Sequence, residues 1–220
     1  MRLYHLVNQE HGLENIKKRR LKIARLHELN DPFEFLSPAS HDPYRRKRFI
    51  AARDGVAQRA GLICFSKSWH NPVIWSHYAD RHRGICLGFD VWDQAALPVR
   101  YSSKRIVFPD RMFDGINPQQ SDTQYFLSAI TTKFTHWRYE NEVRILTSID
   151  AAEKENGLLF KGFCSHLRLR EVIVGATGSA SRDEIMGVLG DLAGDVRVAK
   201  ARLSFKRFAV VTQRRRDLWT

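Results

Sequence analysis

The apolar residues of this chain come in short runs, and that limits its fold more than any other feature. Gly61–Ser66, Gly84–Asp90, Glu142–Ser148 and Glu171–Gly175 each hold a few β-branched, aromatic or leucine residues between polar or turn-forming neighbours. Runs of that length predict strands. Even the Val-Ile-Val centre of Glu171–Ala176 falls far short of the roughly 20 residues that a membrane-spanning helix requires. Further strands are expected at Arg2–Leu6, Leu21–Ala24, Val99–Val107, Val196–Ala201 and Arg207–Thr212. Helical spacing or a capping signal places helices at about Glu10–Arg19, Pro43–Ala60, Thr123–Thr132 and Ser181–Leu192. Another helix lies within Ser68–Asp80, opened by Asn71-Pro72, with Ile74, Trp75 and Tyr78 on one face. Asn30-Asp31-Pro32 reads as a turn or helix start. Strands outnumber helices with no regular βαβαβ repeat, which predicts an α+β fold.

The chain has 220 residues, enough for one domain with a full core over 1–220. Hydrophobic residues at 43% and charged residues at 27% exclude a disordered or fibrous chain. Thirty-six Lys and Arg against 24 Asp and Glu leave a net charge of +12, a field that favours polyanions. The cations cluster at Lys17–Arg20, Arg45-Arg46-Lys47-Arg48, Lys200–Arg207 and Arg214–Arg216. Nucleic acid is therefore the partner expected, with Arg45, Arg46, Lys47 and Arg48 as its contact; a basic surface kept for solubility is the plainer account. No signal core opens the sequence, so a soluble, cytoplasmic protein is expected, with no membrane partner. Cys64, Cys86 and Cys164 are odd in number and set among apolar neighbours, as reduced residues are. His77 and His82 flank Asp80 without a convincing third ligand, so no metal is assigned.

No dinucleotide-binding glycine turn, Walker loop or nucleophile elbow is present. Gly175-Ala176-Thr177-Gly178-Ser179 has the outline of a phosphate cradle but lacks its lysine, and reads as a strand-to-helix turn. A sharper set has three parts in chain order. His5 stands on the first strand. Phe65-Ser66-Lys67-Ser68 ends another strand and leads into the helix with Trp75 and Tyr78. Tyr139-Glu140-Asn141-Glu142-Val143-Arg144 opens a third. Residues two apart on a strand share a face, so Glu140 and Glu142 are expected to point into one cleft. Their mutual repulsion would raise one carboxyl and leave the other ionised. Each residue has a plain alternative: a half-buried core histidine, core aromatics, surface glutamates paired to Arg138 and Arg144, and a turn or helix cap at Asn30 and Asp31.

The order aromatic–His, Phe-Ser-x-Ser, Glu-x-Glu-Val resembles the three motifs of ADP-ribosyltransferases. The resemblance implies a mainly antiparallel split sheet with flanking helices and NAD as substrate. It makes His5 the NAD anchor, Ser66 and Ser68 the second motif, and Glu142 the catalytic acid with Glu140 beside it. The stretch Gly61–Val91 also looks like the strand, Ser-Lys-Ser, helix-with-tyrosine, strand unit of poly-ADP-ribose polymerases, in which Trp75 or Tyr78 would stack on nicotinamide. The opening, Leu3–Leu6 with Leu13–Ile16, is similar to that of the DNA-modifying transferases of bacterial toxin–antitoxin pairs.

A second resemblance covers most of the chain. Asn30-Asp31-Pro32-Phe33-Glu34, Cys64-Phe65-Ser66, Trp75–Asp80, Gly84–Asp90, Lys133 and Trp137–Arg144 look like the ordered motifs of a bacterial family of unknown function. That likeness adds Asn30 and Asp31 to the cofactor-binding set as a pocket wall. The resemblance implies a toxin or phage-defence setting, in which an antitoxin protein is a possible partner, while the +12 charge makes nucleic acid, RNA included, the acceptor expected. Two rivals need no NAD. One is a non-catalytic nucleic-acid-binding domain acting through Pro43–Ala60. The other is a nuclease with Asp31, Glu34, Glu140 and Glu142 around magnesium.

Overall fold

The computed structural model of the chain describes residues 1–36, 39–109 and 120–219. Its elements, in chain order, are β1 (Arg2–Val7), α1 (Gln9–Lys17), β2 (Arg20–Ile23), α2 (Pro43–Ala57), β3 (Ala60–Ser66), α3 (Pro72–Tyr78) and β4 (Ile85–Val91). There follow β5 (Leu97–Pro98), β6 (Arg100–Ser102), α4 (Gln120–Ile130), β7 (Thr132–Phe134), β8 (Glu142–Ser148), β9 (Glu153–Glu155) and β10 (Leu158–Gly162). The chain ends with β11 (Leu167–Val174), α5 (Arg182–Leu189), β12 (Arg197–Leu203) and β13 (Val210–Thr212).

Eight strands form the main sheet in the order β13-β12-β11-β4-β1-β3-β8-β5. Every pairing in it is antiparallel except β11 with β12, which α5 connects. Helices flank this sheet, so the fold is α+β with a mainly antiparallel sheet, as the run lengths predict. Strand β4 sits near its middle. Ile85, Cys86, Leu87 and Phe89 on it are fully buried, which explains why its sequence is nearly continuous in apolar residues rather than alternating. Each such side chain contributes about 1.5–3 kcal/mol by leaving water. Among the described residues no helix is long and apolar enough to cross a membrane.

One joint in the sheet is thin. Strands β1 and β4 pair at six successive positions and β3 and β8 at seven, but β1 and β3 meet only at Tyr4 and Ser66. Beyond that point they diverge, and the candidate site lies in the gap.

Capping follows the sequence signals. Asn8, Asp42, Asn71 and Ser181 each accept a backbone N–H at the start of α1, α2, α3 and α5. Helix α2 buries only Phe49 among its 15 residues, as expected of a cationic surface helix. Val99–Val107 is strand only over β6, because Ser102 turns the chain by bonding the Lys104 backbone. The Gly175–Ser179 turn is filled by protein. A Cβ on Gly175 would stand 2.2 Å from the His82 carbonyl, and Gln9 Oε1 accepts from Ser179 and Ala180, so the loop packs as a turn.

Candidate active site

Glu140 ends a short helical turn spanning Thr135–Glu140, and β8 begins only at Glu142. Between them Asn141 is left-handed, with φ of 46°, a conformation asparagine tolerates better than most residues. The two carboxylates therefore converge through this turn, not through the two-residue alternation of a strand. Asn71 Nδ2 donates to the Tyr139 carbonyl at 3.0 Å and ties the turn to the start of α3.

Both carboxylates meet Lys133, which β7 brings from below. Lys133 Nζ lies 2.6 Å from Glu140 Oε2, 3.3 Å from Glu142 Oε2 and 3.2 Å from Glu34 Oε1. Arg144 completes the group. It is fully buried, donates to Glu142 at 2.8 and 3.0 Å, donates to Glu34, and reaches the Ile130 carbonyl at 2.7 Å. Three carboxylates thus share two cations, each of the five side chains 6% exposed or less. Arg144 belongs to Glu142 and Glu34 rather than to Glu140, and it is buried in the protein instead of pairing with surface glutamates. The acidic residues named for a magnesium centre also change meaning, since Glu34, Glu140 and Glu142 converge on the Lys133 ammonium.

The two central carboxyls titrate in opposite directions. Burial pushes Glu142 up, but Arg144 and then Lys133 outweigh it and hold the carboxyl at about 2. Burial also pushes Glu140 up, and there it prevails over Lys133, leaving Glu140 above the usual carboxylate range. Tyr78 donates to Glu140, and burial and that carboxylate raise its phenol. Tyr101 accepts the Glu142 N–H at 2.7 Å and is pushed up to about 12, chiefly by burial. Burial, followed by the charge of Glu142, raises the Cys64 thiol well above its ordinary value.

A cavity of about 200 Å³ lies between this group and the thin joint of the sheet. Its walls include His5 from β1, Cys64 and Ser66 from β3, Tyr78 from α3, Asn30, Glu34, Lys133, Glu140 and Glu142. His5 Nδ1 stands 2.9 Å from the Cys64 carbonyl and bridges the diverging strands; burial lowers its pKa. Asn30 Nδ2 donates to the Tyr78 hydroxyl at 3.0 Å. Past Leu6 and Tyr78 a polar depression of about 530 Å³ continues along Asn8, His11, His77 and Asp80.

Three of the residues expected at the site stand elsewhere. Trp75 is fully buried, its indole donating to the Trp69 carbonyl and packing edge-on to that ring, so it serves the core. Ser68 receives the Ser66 hydroxyl through its carbonyl and shapes the loop after β3. Asp31 lines a second cavity, on the far side of Glu34 and Lys133. Conversely, Tyr101 and the central place of Lys133 were not read from the sequence. Lys133 was visible only within the family-like motifs, and nothing local marks Tyr101. No family model, curated protein or solved structure matches this chain.

Proposed function

We propose that this protein is an ADP-ribosyltransferase-like enzyme that cleaves NAD and transfers ADP-ribose to a nucleic-acid acceptor. The observation that carries the reading is the meeting of His5, Ser66, Tyr78, Glu140 and Glu142 around one cavity where the sheet opens. The three motifs come from β1, β3 and β8, which are neighbours in the sheet in that order.

The cavity takes the nicotinamide–ribose end of NAD, and the polar depression beyond Tyr78 takes the rest. When the glycosidic carbon–nitrogen bond breaks, nicotinamide leaves with the bonding electron pair and the sugar becomes cationic. Glu142, ionised and fixed by Arg144 and Lys133, stabilises that charge without reorganising. Glu140 receives the proton that the acceptor loses as it bonds to the anomeric carbon. A pair of acids whose environments push them apart suits this division of labour.

The test is incubation of the purified chain with labelled NAD and mixed RNA, DNA and protein, beside Glu142→Gln and Glu140→Gln, with folding checked by circular dichroism. Label in nucleic acid, lost in folded Glu142→Gln, is the expected result. Absence of NAD consumption in the native chain overturns the reading. Helix α2, which is basic and buries only Phe49, favours a second reading as a basic nucleic-acid-binding domain without catalysis. That reading predicts binding indifferent to NAD.

A further inference from the structure

The loop that joins β12 to β13 carries the two most exposed large apolar side chains among the described residues. Phe205 is 96% exposed and Phe208 is 100% exposed. The backbone that presents them is closed on itself. Ser204 N–H donates to the Ala209 carbonyl at 2.9 Å, Ala209 N–H to the Arg207 carbonyl at 2.9 Å, and Lys206 N–H to Ser204 Oγ at 3.3 Å. Lys206 and Arg207 occupy the middle of this loop, both exposed, and neither forms an ion pair among the described residues. The Arg202 guanidinium lies 5.6 Å from the centre of the Phe205 ring. Over residues 200–216 the sequence holds seven Lys and Arg and no Asp or Glu.

Register places the loop. Lys200 pairs with Val174, Val174 with Ile85 and Ile85 with Val7, and β12 runs three residues past that row to Leu203. The loop therefore projects beyond the end of the sheet at which Asn8 follows β1, and Asn8 lines the polar depression. Three strand spacings, about 14 Å, separate β12 from β1.

The charge calls for a polyanion, and the order of residues along the loop favours one kind. Phe205 and Phe208 flank the two central cations, so a bilayer that took both rings below its surface would draw two charges towards hydrocarbon. A single-stranded nucleic acid presents base faces and phosphates side by side, and both faces of each ring are open to stacking. We infer that the β12–β13 loop is a docking surface for single-stranded nucleic acid, with Phe205 and Phe208 against bases and Lys206 and Arg207 against phosphates. The inference rests on the acceptor half of the function proposed above, names where that strand docks, and is independent of its NAD half.

The experiment measures binding to the full chain, without NAD, by fluorescence anisotropy, using a short oligothymidylate and an abasic strand of the same length. Phe205→Ser with Phe208→Ser should weaken the thymidine strand at least about tenfold and leave the abasic strand unchanged. Lys206→Ala with Arg207→Ala should weaken both strands and flatten the logarithmic salt dependence by about 1.4. Circular dichroism confirms that each variant is folded. Unchanged thymidine binding in the phenylalanine variant overturns the inference, as does an equal loss on both strands or no strand binding by the native chain. Polyglutamate bound as tightly as the thymidine strand overturns nucleic acid in favour of an acidic protein. Phosphatidylserine vesicles bound by the native chain and lost in the phenylalanine variant, with strand binding intact, overturn it in favour of a membrane surface. A chain that cleaves no NAD yet gives the expected strand results refutes the enzyme and leaves this docking surface standing.

Discussion

Arg144 is the residue on which the buried charges depend most. Replacing it with Met leaves Glu34 and Glu142 facing Lys133 alone, one cation for what were two. Removing one partner of a buried ion pair costs about 3–5 kcal/mol, and urea denaturation of Arg144→Met should show a loss of that size. The two glutamates should differ in sign. Glu142, held at about 2 in the folded chain against 4.5 ordinarily, adds stability that is complete above pH 4.5 and lost as the pH falls towards 2. Glu140 is raised, so its ionised form opposes folding at neutral pH and its protonation relieves that opposition. Denaturant titrations across pH 2 to 7 should therefore find Glu140→Gln as stable as the native chain or more so near neutrality. Glu142→Gln should be weaker there and less sensitive to acid. Equal losses for both would contradict the assignment of opposite shifts.

At the scale of elements, the hairpin of β9 and β10 turns through Asn156 and Gly157, both left-handed, with φ of 50° and 78°. A Cβ on Gly157 meets nothing within 4 Å, so Gly157→Ala tests backbone strain alone and should cost about 1–2 kcal/mol in thermal or urea melts. This hairpin went unread, although its Asn-Gly pair is a turn signal, because charged Glu153–Glu155 has no apolar alternation. The main strands were legible because their apolar runs are buried on the sheet. The helix starts were legible because capping is local chemistry. Convergence of Glu140 and Glu142 was anticipated for the wrong reason, since the left-handed Asn141 supplies what strand alternation was expected to. The role of Arg144 was open in the sequence because Glu34 lies 110 residues away, and pairing over that distance is set by the fold. Phe205 and Phe208, at 96% and 100% exposure between β12 and β13, pack on almost nothing. Their replacement by Ser should alter stability by less than about 0.5 kcal/mol in the same melts.

For the whole molecule, the +12 charge is not evenly available. In the Lys17–Arg20 cluster, Lys18 pairs with Glu14 and Glu155, Arg19 with Asp191, and Arg20 with Glu153 and Glu155. That cluster fastens β2 and α1 to their neighbours. On α2, by contrast, Lys47 and Arg48 stay exposed, Arg48 over the Tyr44 ring. Each phosphate contact to a single strand steepens the logarithmic salt dependence by about 0.7, so Lys47→Ala with Arg48→Ala should flatten it by about 1.4. Anisotropy titrations between low and physiological salt would read this directly, and an unchanged slope would place the nucleic acid elsewhere.

The single pairing of Tyr4 with Ser66 has a mechanical consequence. Two half-sheets, β13 to β4 with β1 on one side and β3, β8 and β5 on the other, share almost no backbone ladder at that boundary. A small scissoring motion there would widen or narrow the space beside His5 while each half stays intact. Backbone amides facing the boundary should then exchange with deuterium sooner than those between β1 and β4, by local opening rather than global unfolding.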